Sequence, residues 1–171
     1  MANYTPNEQA VVAAAEKIMR DTMARYDPSH DAYHASVHHQ CSLTLIFIHP
    51  QVDLVTDGRA RTVTRIVDNV SWSTEKKLRA AGQWTEWHDQ CLELHCVQDA
   101  DRLDAIGAFG VLRCAAFNAS TNHPLYTPAD DPNLESSAIQ HFHDKLVHIK
   151  DRLKTAPGQA MGERRHQVVS L

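Results

Sequence analysis

VQDADRLDAIGAFG, residues 97–110, places Asp99, Asp101 and Asp104 within six positions and then runs into small apolar residues. At about 100° per residue, Cys96, Ala100, Leu103, Gly107, Val111 and Cys114 form one apolar helical stripe. Asp104 falls about 40° from Ala100 and Asp101 about 60° further round. These two carboxylates therefore share the side next to the core, and Asp99 lies across the other flank. A carboxylate at the edge of a core must be paired or must hold a cation, because an unpaired buried charge is strongly unfavourable. Gly107 and Gly110 leave room for a second helix. Two explanations stay open at this point: ion pairs with Arg102 or Arg113, or a metal site.

The flanking sequence is also helical. Thr5, Pro6 and Glu8 fall at the N-cap, N1 and N3 positions of a capping box. Val11, Ala15, Ile18 and Met19 continue it as an apolar stripe. Val63, Ile66, Val67 and Val70 repeat at helical spacing, and SWSTEKKL (71–78) caps and begins a short helix. The pattern from about Glu93 to Phe117 reads as one helix. Residues 118–135 hold three prolines and read as a long loop. Ile139, Phe142, Leu146, Ile149 and Leu153 predict one more amphipathic helix, and the polar tail after about residue 157 reads as frayed. One stretch disagrees. CSLTLIFIHPQVDLVTDG (41–58) is β-branched, holds Pro50 and looks strand-like, so it is expected to pack poorly. The prediction is a single all-α domain over residues 1–171, a helical bundle with an irregular segment around residues 41–62.

Composition narrows the function. The chain has 171 residues, 22% charged and 43% hydrophobic, ordinary values for a globular domain. A formal charge of −4 gives no footprint for a nucleic acid polymer. The longest apolar run, LIFI (45–48), is far short of a membrane span. The N-terminus lacks a signal-peptide pattern, so a cytoplasmic protein with free thiols at its four cysteines is expected. Twelve histidines are the outlier, and histidine binds metals and moves protons near neutral pH.

Three segments carry a resemblance. DPSHDAYH (27–34) resembles the opening motif of the HD-domain metal-dependent phosphohydrolases. QDADRLDAIGAFG (98–110) resembles their closing motif, in which an aspartate after alanine binds the metal. SAIQHFHDKLVHIKDRLKT (137–155) is similar to the helix that follows in a small stand-alone subgroup. The three occur in the family's order. The resemblance implies an all-α bundle, with a divalent ion, manganese or magnesium, held in part by His34 and Asp101. It makes Asp104 and Asp31 supporting catalytic groups; Asp31 precedes His34 by three residues, a same-face spacing that suits orienting an imidazole. It also makes His141, Lys145 and Lys76 phosphate-binding residues. By spacing alone, His141 and Lys145 are a basic i, i+4 pair that fits a solvated patch equally well, and Lys76 and Lys77 fit plain surface lysines better than phosphate contacts.

The departure from the family pattern is specific. An adjacent His-Asp doublet should follow the first histidine and supply two of the four ligands, yet residues 41–62 contain none. The segment bearing it is missing or replaced. His88-Asp89 is a poor substitute: on one helix it would lie about 20 Å from Asp101. His30-Asp31 belongs to the opening motif, and His143-Asp144 lies on the C-terminal helix. Cys91, His95 and Cys96 resemble only a fragment of a zinc site. Trp72, Trp84 and Trp87 read as packing residues.

The resulting expectation is metal-assisted hydrolysis of a phosphoester or phosphoanhydride in a small phosphorylated substrate, a nucleotide, impaired in this form. The rival is a degenerate, non-catalytic HD-like binding protein or truncated isoform.

Overall fold

A computed structural model of the chain describes residues 5–25 and 53–169. The opening motif, with Asp31 and His34, and the strand-like stretch as far as Val52 lie outside the described residues. So does the packing expected of that stretch. Among the described residues there are eight α-helices, three short 3-10 turns and no strand.

Local sequence signals start the helices where expected. In α1 (Pro6–Met23), the Thr5 hydroxyl accepts the Glu8 N–H at 3.3 Å and the Glu8 carboxylate accepts the Thr5 N–H at 2.9 Å. Val11 and Met19 of this helix pack with Leu54. Asp53 closes a turn by accepting the Val55 and Thr56 N–H groups. Residues 59–62, assigned above to the irregular segment, are instead the first turn of α2 (Arg59–Asp68). Ser71 caps α3 (Trp72–Ala80) through the Thr74 N–H, and α4 (Glu86–Gln90) is a short helix after it.

The 93–117 pattern is two helices. α5 (Leu92–Asp104) ends at Ala105, and α6 (Gly107–Ser120) begins after an extended Ile106. Gly107 takes φ +78°, a left-handed value that side chains disfavour. A Cβ on Gly110 would come within 2.3 Å of the Ala105 carbonyl carbon. The glycine pair therefore makes the bend between the helices, a role that periodicity does not separate from helix contact. α5 is also rotated from the predicted stripe. Leu94, Gln98, Asp99, Arg102 and Leu103 are buried, and Cys96 is exposed.

The C-terminal part differs too. α7 (Ala138–Asp144) gives way to 3-10 turns at Leu146–His148 and Lys150–Arg152, so the predicted single helix is broken. Leu146, Ile149 and Leu153 still enter the main core, with Leu103 and Ile106. The tail expected to fray is α8 (Ala156–Val169), packed on α5 and α6. Gly158 and Gly162 allow that approach: a Cβ would lie 2.3 Å from Asp99 Oδ2 at the first and 2.1 Å from Leu153 Cδ1 at the second. The Asn118 side chain pins the long loop to α6 by donating to the Pro124 and Ser136 carbonyls, each at 2.9 Å.

Candidate active site

A cavity of about 580 Å³ opens between α3, α5, α6 and the segment from α7 to Arg152. Its size falls within the range usual for small-molecule sites. Four residues named from the sequence line it: Asp101 and Asp104 from α5, His141 from α7, and Lys145 just after α7. Lys76 stands exposed on α3 and does not line it. Asp31 and His34 are outside the described residues. Arg113, Arg152 and Trp72 also line the cavity. No spacing rule joins Arg152 or Trp72 to the aspartates, since they come from distant segments.

The carboxylates differ in their roles. Asp104 Oδ2 lies 2.9 Å from Arg113 Nε, an ion pair with both side chains mostly buried. This is one of the pairings that the sequence left open. Asp99, placed above on the far flank, is 2% exposed and the deepest of the three. Its oxygens accept the Lys154 and Thr155 N–H groups and the Thr155 hydroxyl at 2.7–3.1 Å, tying α5 to the start of α8.

A buried polar belt supports the cavity wall. Glu75 of α3 accepts from Arg102 at 2.6 Å, Lys154 at 3.0 Å and Arg79 at 3.0 Å. Burial pushes this carboxyl up, but hydrogen bonds from Arg102, Lys154 and Arg79 outweigh it and hold it at about 2. Gln98 accepts from Lys154 Nζ at 2.7 Å and donates to the Asn69 carbonyl at 2.8 Å. In the cavity itself, burial and then the nearby Lys145 lower His141, so its imidazole is neutral near pH 7.

The other histidine and cysteine candidates have structural roles. His88 Nδ1 accepts the Thr85 N–H at 3.0 Å, which leaves the proton on Nε2 to meet Asn69 Oδ1 at 3.2 Å. Asp89 accepts from Trp84 Nε1 at 2.7 Å. The His88-Asp89 doublet is thus held by its own helix cap, and neither residue lines the cavity. His95 meets the His88 carbonyl at 2.8 Å, and Cys96 is exposed. Among the described residues, no three His, Cys, Asp or Glu side chains converge to hold a metal ion. The described donor set does not fit a divalent ion by itself: Asp101 offers one carboxylate to the cavity, and Asp104 is paired with Arg113.

No family model matches the chain. A Lactobacillus plantarum protein superposes with a TM-score of 0.67 at 23% identity, over 98% of this chain and 94% of its own. An HD-superfamily hydrolase from Bacillus thuringiensis superposes with a TM-score of 0.53 at 22% identity, over 96% and 93%. The chain shares the fold of these proteins, one of them an HD-superfamily hydrolase, and is all-α among the described residues, the fold class that the resemblance implied.

In sequence it is similar to the uncharacterized protein YpgQ of Bacillus subtilis, at 43% identity over 75 residues, or 44% of this chain. That stretch spans 34% of YpgQ's length. The crystal structure of YpgQ in complex with ADP superposes with a TM-score of 0.59 at 24% identity, over 91% of this chain and 92% of its own. Among the described residues, no helix is long and apolar enough to cross a membrane.

Proposed function

We propose that the chain is an HD-type phosphohydrolase scaffold whose cavity takes the phosphates of a small nucleotide, with a metal site that this sequence leaves incomplete. One observation carries the reading. Asp101 of one motif and His141 and Lys145 of another line one cavity together with Arg113 and Arg152. Lys145 and Arg152 supply positive charge for phosphate oxygens, and the neutral His141 adds a hydrogen-bonding group. The ADP complex of YpgQ supports a nucleotide as the ligand. His34 and Asp101 are the metal ligands the resemblance assigns. Two protein ligands leave most of a coordination sphere to water, so manganese or magnesium is bound weakly and hydrolysis is slow.

Calorimetric titration tests the nucleotide reading. ADP should bind more tightly than adenosine, and Lys145→Ala should weaken ADP by about tenfold, the loss of one charge-assisted hydrogen bond. Equal affinity for ADP and adenosine would remove the phosphates from the account. A second reading, a non-catalytic nucleotide-binding protein on the same scaffold, is favoured by the lack of a His-Asp doublet in residues 41–62.

A further inference from the structure

Two cations of the cavity wall already face carboxylates. Arg102 donates to Glu75 at 2.6 Å, and Arg113 lies 2.9 Å from Asp104. Arg152 is held differently. Its backbone carbonyl accepts from Arg102 Nη1 at 2.5 Å, which fixes the chain at this point. Its guanidinium lies over the ring of Trp72, 4.3 Å from the centroid, and Arg102 stands 5.6 Å from the same centroid. Trp72, Arg102 and Arg152 all line the cavity. A ring face positions a cation without neutralising it. Here a like charge, Arg102, is close by as well. The planar fork of an arginine matches two phosphate oxygens at once, which a lysine ammonium does not.

We propose that Arg152, seated on Trp72 and braced through its backbone by Arg102 and Glu75, is the arm that grips the phosphate chain of the ligand. This rests on reading the cavity as a phosphate site. Trp72 sets the height and tilt of the guanidinium, and the buried Glu75 holds Arg102 in place behind it. Lys145 acts as a second, less directional positive charge in the same cavity.

The test is calorimetric titration of inorganic pyrophosphate into the full chain in EDTA, so that no metal ion bridges ligand and protein. The wild-type chain should bind. Arg152→Gln should weaken pyrophosphate by about tenfold or more while leaving the affinity for adenosine unchanged. Arg152→Lys should fall between the two, because it keeps the charge and loses the fork. Trp72→Leu should weaken binding and Trp72→Phe should recover part of it. The thermal midpoint of Arg152→Gln should stay near wild type, because the bond from Arg102 goes to a backbone carbonyl that the substitution keeps. Should that variant fail to fold, Arg152→Lys carries the test, and wild-type affinity in it overturns the proposal. If Arg152→Gln binds pyrophosphate like the wild type while Lys145→Ala does not, the proposal is wrong and the cavity reading stands. If the wild-type chain binds no pyrophosphate, the cavity reading falls and the proposal with it.

Discussion

Three cations converge on the Glu75 carboxylate, which is only 3% exposed: Arg102, Lys154 and Arg79. Its carboxyl is held at about 2, against an ordinary 4.5 in the unfolded chain. A carboxyl lowered on folding adds stability that is fully present above its unfolded value and is lost as pH falls towards its folded one. Denaturant unfolding should therefore show a loss of stability between about pH 4.5 and 2 to which Glu75 contributes. Glu75→Gln should flatten that acid limb. It should also cost about 3–5 kcal/mol at pH 7, because Arg102 and Lys154 would keep buried charge without a counter-charge. An unchanged acid limb in the variant would show that the belt does not act through this carboxyl. The same belt explains why the aspartates were only partly legible. Spacing put Asp101 and Asp104 beside the core, and both do line the cavity. Asp99 does lie across the helix from that pair, but its burial was not legible, because most of its donors are backbone N–H groups at Lys154 and Thr155, which carry no side-chain signal.

Capped helix starts were legible, and helix breaks and faces less so. Thr5 and Ser71 cap as their sequence context requires, because capping depends on residues three apart. The buried side of α5 was misjudged because Gln98 and Arg102, polar by composition, are among its deepest residues. They satisfy Asn69, Lys154 and Glu75 there rather than facing water. The tail was read as frayed because its buried residues are glycines, which no apolar pattern detects. Gly158→Ala and Gly162→Ala should each destabilise the fold by about 1–3 kcal/mol in urea unfolding, since the added methyl meets Asp99 in one case and Leu153 in the other. At Gly158 the displaced group is a carboxylate with three donors. That variant should also speed hydrogen exchange at the Lys154 and Thr155 amides. Wild-type stability in both variants would mean that α8 does not need its close approach to α5.

The order of the three motifs made the architecture of the whole molecule readable, and the solved structures share that architecture across nearly the full chain. The cavity was less accessible to sequence, because Trp72, Arg113 and Arg152 converge on it from three separate segments. The sequence does isolate where this chain departs from the pattern of the family its motifs resemble, the stretch 41–62 without a His-Asp doublet. Grafting a doublet-bearing helix in place of residues 41–62 should raise manganese affinity first, as ligands are added to the ion. The most direct measurement is hydrolysis of nucleoside triphosphates and simple phosphoesters by the purified chain loaded with manganese or magnesium, beside an Asp101→Ala control. The account predicts turnover close to that of the control, with weak metal binding in both. Robust turnover that Asp101→Ala abolishes would contradict it, and would mean that other residues complete the metal site.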